Sequence, residues 1–301
     1  MGRIVEFDIA KGIGIILVVI GHQNIPHSVT NWIFSFHMPL FFILSGFFFS
    51  SKKKFYEIFK RRVKSLIIPY VFFYALNFIL FCFLRDNYYS SFSFSIGQNL
   101  ALWFLPVLFL SELLIKLSYN YRFSFTFVCF IYSIINSYFS LFENQIFNLL
   151  LWGCSLYGIG VLIRENDLLN IIKKRKKIFV VFSFIGSITI SYMVSPTLNI
   201  LFNEVGNPIL TPLGIFFGCI YIYSLSLFML KCNILKCLLS RLGANTLLVL
   251  CVHQVLYAYM QKYIFCDSYM MTVILRIIGL WIIMIILILF FNKYLRFVIG
   301  K

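Results

Sequence analysis

Apolar residues dominate this sequence in long runs, and the charged residues gather between the runs. A run of about 17 to 22 mainly apolar residues is long enough to cross a bilayer as a helix. Lipid favours helices because every backbone polar group must find its partner within the protein. The pattern predicts an all-α polytopic membrane protein with about ten transmembrane helices. The predicted spans lie at roughly 9–26, 30–49, 66–84, 98–117, 123–141, 146–163, 178–195, 209–230, 245–261 and 271–291.

The basic residues between these spans are concentrated in alternate loops. When the loops are assigned to the two sides in turn, 22 Lys and Arg residues fall on one side, and only Arg85 and Lys262 fall on the other. Short loops rich in Lys and Arg stay on the cytoplasmic side. The bias therefore predicts that the N-terminus and the C-terminus are both cytoplasmic.

Composition supports a membrane protein and argues against other classes. Hydrophobic residues make up 61% of the 301 residues and charged residues 12%, too few to cover a water-facing surface. The net charge of +16 lies in short loops, so the expected partner is the lipid bilayer and not nucleic acid. All loops are short, which predicts a single integral-membrane domain over residues 1–301. No HExxH, GxSxG or P-loop pattern occurs, which disfavours a serine hydrolase or an ATPase.

The first predicted span contains residues that are costly to bury in lipid. Charge inside a bilayer is expensive, so Lys11 and His22 are functional candidates. They are eleven residues apart on one helix, which corresponds to about 16 Å. They could mark two ends of one path, and Asp8 lies on the face of Lys11 and could pair with it. His37 and His253 are predicted in the outer half of their spans or near the midplane.

The loop at 51–65 is both basic and periodic. Its apolar residues Phe55, Ile58, Phe59 and Val63 recur at helical spacing among the Lys and Arg residues. This pattern predicts an amphipathic helix on the cytoplasmic membrane surface. An electrostatic anchor to anionic lipid is one interpretation of the loop.

Four motifs carry a family resemblance. Lys11 is followed after ten residues by His22, which Gly21 precedes, and FHMPLFFILSG follows at 36–46. Later come LWFLPVLF at 102–109 and RLGANTLLVLCVHQ at 241–254. In these stretches the chain resembles the acyltransferase-3 family of integral-membrane acyltransferases, which includes bacterial O-acetyltransferases of surface glycans. Between residues 110 and 240 the likeness rests on hydropathy alone.

The resemblance implies a membrane-bound O-acetyltransferase of the bacterial inner membrane. It would transfer acetyl from acetyl-CoA to a hydroxyl of a cell-envelope polysaccharide or its lipid-linked precursor. His22 would be the general base, with Gly21 leaving space for a ligand, and Lys11 and Asp8 would guide the donor at the cytoplasmic mouth. Acetyl-CoA would be a substrate, and we expect no tightly bound cofactor and no metal ion. A structural His22, hydrogen-bonded between helices, is the alternative role for this residue.

Further residues are assigned to the site. His37, His253 and Trp103 are expected to line it, and Pro106 could shape its wall or kink the fourth span. Glu112 is expected to line the site and to pair with a basic group. The phosphates of acetyl-CoA would bind basic residues, because Arg binds phosphate through two parallel hydrogen bonds. The expected phosphate-binding residues are Arg61, Arg62, Lys64 and Arg241.

A second function remains open at this point. A transporter or export accessory for polysaccharide or lipid-linked glycan could use the same buried charges to line a translocation path. The absence of an evident internal repeat counts mildly against a transporter built from inverted halves. Arg276, a costly charge in the last span, has no partner that the sequence identifies.

Overall fold

The computed structural model describes residues 4–23, 25–84, 101–195, 198–266 and 268–300, and these are almost entirely helical. The predicted outer loop at 85–99 lies outside the described residues. The helices are α1 Val5–Gly21, α2 His27–Phe34, α3 His37–Phe47, α4 Phe55–Arg62, α5 Ile68–Leu84, α6 Phe104–Leu117, α7 Arg122–Phe139, α8 Gln145–Glu165, α9 Leu169–Lys174, α10 Lys176–Met193, α11 Leu210–Met229, α12 Asn233–Gly243, α13 Thr246–Tyr263 and α14 Tyr269–Tyr294.

Short elements connect some of these helices. A π-helical turn, Val63–Ile67, joins α4 to α5 without a loop, and 3₁₀ turns lie at Tyr119–Tyr121 and Arg296–Ile299. Two short strands, β1 Leu198–Asn199 and β2 Glu204–Val205, pair antiparallel between α10 and α11.

The helices agree with an all-α multi-pass membrane protein. Each predicted span is occupied by at least one helix over its described residues. Among the described residues, six helical segments are long and apolar enough to cross a membrane. Helices α12 and α13 provide a seventh if they count as one span bent by 76°. The fold class is therefore confirmed, and the number of about ten spans stays a prediction.

The basic loops assigned to one side of the membrane meet at one end of the helix bundle. Lys173 pairs with Glu6 at 3.0 Å, which ties the loop after α8 to the start of α1. Further contacts at this end join Lys116 to the Ser51 carbonyl, Arg122 to Glu165, Arg164 to the Phe47 carbonyl, Gly243 to the Asp8 carbonyl and Gly300 to Ser65. These contacts agree with the alternating assignment of the loops. That this end faces the cytoplasm remains a prediction from the charge bias.

Glycines bring pairs of helices into backbone contact. A Cβ at Gly12 would overlap the Leu239 carbonyl, so α1 and α12 pack with almost no space between them. Helices α3 and α8 meet in the same way, because Gly160 lies against the Ile43 carbonyl. Small residues allow this close approach in membranes, where apolar surface alone does not drive helices together.

Two prolines lie where helices begin. The second predicted span is divided at Ser35–Phe36, so that Pro39 lies in the first turn of α3, just after His37. Helix α6 begins at Phe104, which places Pro106 in its first turn as well. A backbone N–H has no intrahelical partner in the first turn, so proline is tolerated there. Pro106 therefore does not kink the helix.

Candidate active site

Three histidines from distant parts of the chain meet in the bundle. His22 caps the end of α1, His37 begins α3, and His253 lies within α13. The ring centroid of His22 is 5.1 Å from that of His253 and 6.3 Å from that of His37, and both pairs meet edge to face. His253 and His37 are buried, at 0% and 6% exposure, whereas His22 keeps some exposure.

Hydrogen bonds fix the protonation of each ring at one nitrogen. In all three histidines Nδ1 lies within hydrogen-bonding distance of a backbone carbonyl in the preceding turn, and a carbonyl can only accept. The acceptors are Val18 for His22 (2.8 Å), Ile33 for His37 (3.1 Å), and Val249 and Leu250 for His253 (3.0 and 2.9 Å). Each Nδ1 therefore donates a proton. In the neutral ring, Nε2 then carries the lone pair that can accept one.

The nitrogen left free on His253 has no protein partner. Its Nε2 is buried and makes no hydrogen bond within the described part of the chain. A buried polar atom without a partner is costly, and such atoms concentrate at functional sites.

Aromatic and aliphatic side chains close the cluster on the α2 side. The Phe34 ring centroid lies 4.9 Å from that of His37 and 5.5 Å from that of His22. A Cβ at Gly21 would be 3.0 Å from both Ile33 Cγ2 and Phe34 Cε1. The expectation that Gly21 leaves space for a ligand is therefore wrong, because this glycine lets α2 pack closely against α1.

A cavity of about 310 Å³ is lined in part by the same three helices. Its lining includes Lys11 and Ile15 from α1, Phe41 and Ser45 from α3, and Leu247 and Leu250 from α13. Ile15 is seven residues before His22, Phe41 is four residues after His37, and Leu250 is three residues before His253. These spacings place each lining residue on the histidine-bearing face of its helix. On every helix, the lining residues lie on one side of the histidine.

One end of this cavity is basic. Lys11, Arg62 and Ser65 all line it, and the nearest charges that act on Lys11 come from Asp8 and Arg62. The Lys11 Nζ lies 5.1 Å from the ring centroid of Phe48. Lys11 and Asp8 are thus neighbours, as their spacing predicted. None of the three histidines lines this cavity, and they lie farther along the same helices, beyond its apolar residues.

A buried carboxylate holds the two arginines of α4. Glu112 is fully buried and accepts hydrogen bonds from Arg61, at 2.9 Å, and from Arg62. The expectation of a basic partner for Glu112 is met by these arginines and not by Lys116, which instead donates to the Ser51 carbonyl at 2.7 Å. Arg62 is therefore positioned by Glu112 while it also lines the cavity.

Three further candidates, like the histidines, also lie outside the cavity wall. Trp103 is buried behind the wall, where it packs on Phe42 and Phe104, and Phe104 itself lines the cavity. Lys64 and Arg241 are exposed and do not line the cavity. Arg241 lies three residues before the lining residue Ala244.

A family model described as an acyltransferase domain, Acyl_transf_3, matches residues 4–292. The chain belongs to the acyltransferase-3 family. No curated protein and no solved structure matches this chain significantly. The family match also covers residues 110–240, where no sequence motif indicated the family. It identifies the chain as a membrane acyltransferase.

Some features of this acyltransferase were not predicted from its sequence. Ser45, Ser65 and Thr246 add hydroxyl groups to the cavity lining, and the π-helical turn at Val63–Ile67 places Ser65 there. Serine and threonine are common in membrane helices, so no local pattern distinguished these three. Arg276, whose partner was unknown, donates to the carbonyls of Ile264 and Gln261 at the end of α13.

Within the described ranges, no group of three or more His, Cys, Asp or Glu residues is arranged to hold a metal ion. The histidine rings meet edge to face. The arrangement combines a proton acceptor, His22 Nε2, with a cavity that is basic at its far end.

Proposed function

We propose that this acyltransferase transfers acetyl from acetyl-CoA to a hydroxyl group of a cell-envelope polysaccharide or its lipid-linked precursor, in the bacterial inner membrane. One observation carries the proposal. Helices α1, α3 and α13 supply both a cavity with a cationic end and the three histidines beyond its apolar middle. A donor with charged groups at one end, a narrow flexible arm and a reactive group at the other end would match this change from charged to apolar surroundings.

The donor would enter from the cationic end. Acetyl-CoA carries its phosphates at one end and its thioester at the tip of the pantetheine arm. Lys11 and Arg62 line the cavity and would face the phosphates nearest the arm. Three further basic residues, Arg61, Lys64 and Arg241, would contact the outer phosphates at the protein surface. The eleven residues from Lys11 to His22 correspond to about 16 Å, which suits an extended pantetheine arm.

His22 would act as the general base. Its Nε2 would take the proton of the acceptor hydroxyl while the hydroxyl oxygen attacks the thioester carbonyl carbon. The carbon–sulfur bond then breaks, and the proton passes from His22 to the departing sulfur, which leaves as the thiol of coenzyme A. The hydrogen bond from Nδ1 to the Val18 carbonyl would hold the ring in the required orientation.

The acceptor would reach His22 from the opposite side. His22 keeps some exposure and is followed by the short connection to α2, where His27 is exposed. His37 and His253 are more deeply buried and would line the site from behind. The charge bias predicts that this end of α1 lies toward the outer face, where cell-envelope glycans are found.

Reconstituted protein can test the proposal. We expect purified protein in proteoliposomes to move radiolabel from acetyl-CoA onto an added envelope polysaccharide, in a linkage that mild alkali releases, as expected for an ester. The same vesicles report whether glycan crosses the membrane. Glycan movement without transfer of label would contradict the proposal and favour a transporter.

A further inference from the structure

A second cavity also lies against α1 and α3, and it differs in chemistry from the donor cavity, which is the one lined by Lys11 and Arg62. Its volume is about 210 Å³, and its walls come from α1, α3, α8, α11, α9 and the residue before α9. The lining side chains are aliphatic or aromatic apart from the Cys219 thiol and the Tyr223 hydroxyl. An apolar cavity of this kind stays dry and takes apolar ligands.

This apolar pocket and the donor cavity share helix α3 but use different faces of it. Leu40 and Leu44 line the apolar pocket, whereas Phe41 and Ser45 line the donor cavity. Helix α1 is shared too, because its Phe7 lines the apolar pocket. The pocket is therefore separate from the cavity assigned to the acyl donor, although both lie against helices that carry histidines of the site.

The pocket reaches the protein surface beside a basic cluster. Leu168, which is 45% exposed, lines the pocket, and so does Ile172 on α9. The sequence KKRKK follows directly at 173–177. Lys173 is paired with Glu6, but Lys174, Arg175 and Lys177 are exposed. Three exposed cationic side chains thus lie within five residues of Ile172.

We propose that this pocket binds one acyl chain of an anionic phospholipid, whose headgroup is held by Lys174, Arg175 and Lys177. Charge complementarity selects this occupant, because basic residues beside a membrane attract anionic headgroups. The depth agrees, since the pocket extends from the basic end of the bundle to Leu40 within α3. The lipid would come from the leaflet at the basic end, which the charge bias identifies as cytoplasmic.

The bound acyl chain would pack against α1 and α3 and stabilise their positions. It would pack on Phe7 one turn before Lys11, and on Leu40 and Leu44 of α3, next to the face that carries Ser45. A filled pocket replaces contacts that its lining would otherwise lack. The lipid would thus be a structural ligand and not a substrate.

Photo-crosslinking tests the occupant without relying on enzyme activity. The full chain is reconstituted in phosphatidylcholine vesicles with a minor fraction of phosphatidylglycerol that carries a photoreactive group on its acyl chain. We expect adducts at Leu44, which is buried and closed to lipids that merely surround the protein. An otherwise identical phosphatidylcholine probe should label Leu44 about tenfold less, whereas both probes should label the exposed Ile185 equally.

Charge variants test the headgroup contact. Combined Lys174→Gln, Arg175→Gln and Lys177→Gln changes should lower labelling of Leu44 by phosphatidylglycerol about tenfold. Lys52→Gln, Lys54→Gln and Lys60→Gln remove three exposed charges from a different loop and should leave labelling of Leu44 unchanged.

A pocket-filling change, Ile220→Trp, gives an independent check, because it should block labelling of Leu44 by either lipid. Three results would overturn the proposal: equal labelling of Leu44 by the two lipids, labelling at Ile185 alone, or loss of labelling at Leu44 in both charge variants. Labelling of Leu44 by a photoreactive long-chain acyl-CoA but not by phosphatidylglycerol would also overturn it, and would assign the pocket to a substrate chain.

Discussion

At the residue scale, the Lys11 ammonium group lines a cavity, where it can pair only with an anionic ligand or with a neighbouring residue. It lines the donor cavity next to Asp8 and Arg62, one turn below the apolar residue Ile15. A lysine in this position has lost much of its contact with water, which is costly unless the charge pairs with a group of opposite charge. An anionic acyl donor would provide such a group.

We expect Lys11→Gln to weaken the use of acetyl-CoA. Loss of one charge-assisted hydrogen bond is worth about 1.5–3 kcal/mol, or about tenfold to a hundredfold in KM for acetyl-CoA. Lys60→Gln is a matched control, because Lys60 is exposed on α4 and lies outside the cavity wall. Steady-state kinetics of both variants at equal membrane abundance provide the measurement. An unchanged KM in Lys11→Gln would reject Lys11 as a donor contact.

The arginines of α4 require a different test because they are tied to Glu112. An Arg61→Ala/Arg62→Ala variant would leave this fully buried carboxylate without its two basic partners. Removing one side of a buried ion pair is strongly destabilising, because the other charge stays buried. A loss of activity in that double variant would therefore not identify a phosphate contact.

We expect Glu112→Gln to lower the free energy of unfolding by about 3–5 kcal/mol. Glu165→Gln provides the comparison, since Glu165 pairs with Arg122 at 2.6 Å and both side chains are partly exposed. That change should cost less than about 1 kcal/mol. Unfolding of the purified variants in detergent, followed by temperature or denaturant, measures both. Equal losses in the two variants would show that burial does not set the strength of the Glu112 pair.

At the element scale, the hydropathy pattern predicted where the helices lie but not where they are interrupted or bent. The apolar runs correctly placed helices because lipid leaves the backbone little alternative. The break at Ser35–Phe36 and the 76° bend between α12 and α13 depend on tertiary packing, which the period of the sequence does not record. The loop at 51–65 does form a helix, α4, but a π-helical turn joins it directly to α5.

The residues of the site were predictable from the sequence only where they share one helix. Lys11, Asp8 and His22 share one helix, so their spacing alone indicated their relation. The meeting of His22 with His253 depends on the packing of α1 and α13, which are far apart in the sequence. The two arginines that hold Glu112, and the filling of the space beside Gly21, also require contacts between helices that no local pattern contains.

Glycine packing makes an element-scale prediction. We expect Gly160→Ala to destabilise the protein by about 1–3 kcal/mol, because its new Cβ would overlap the Ile43 carbonyl and push α3 away from α8. Gly279→Ala is the control on α14. Its Cβ would be 3.2 Å from the flexible Met260 thioether, and the change should be neutral or stabilising by up to about 1 kcal/mol. Thermal unfolding of both variants tests this, and an equally stable Gly160→Ala protein would contradict the close packing of α3 and α8.

At the scale of the whole molecule, the two ends of the bundle have different roles. The basic loops meet at one end, with the cationic mouth of the donor cavity among them, and the histidines lie farther along the same helices. Under the proposed function, this polarity would let a cytosolic donor and an outer acceptor approach the histidine cluster from opposite sides. It requires the basic end to face the cytoplasm.

Cysteine labelling tests that orientation. On a background without native cysteines, an engineered thiol at Ser51 should be protected from a membrane-impermeant reagent in intact cells and should react after lysis. A thiol at Ser268, in the predicted outer loop before α14, should react in intact cells. Reaction at position 51 in intact cells would overturn the orientation, and with it the cytosolic entry of the donor.

The most direct measurement concerns His22 itself. General base catalysis contributes about a hundredfold to ten thousandfold, so His22→Ala and His22→Gln should both lose most acetyl transfer from labelled acetyl-CoA to glycan in proteoliposomes. Gln retains a hydrogen-bonding side chain but cannot accept and release a proton near neutral pH. Both variants should accumulate normally, and His27→Gln, at the exposed histidine that begins α2, should remain fully active. Near-wild-type transfer by His22→Gln, with reduced abundance of His22→Ala, would contradict the catalytic role and assign His22 to helix packing.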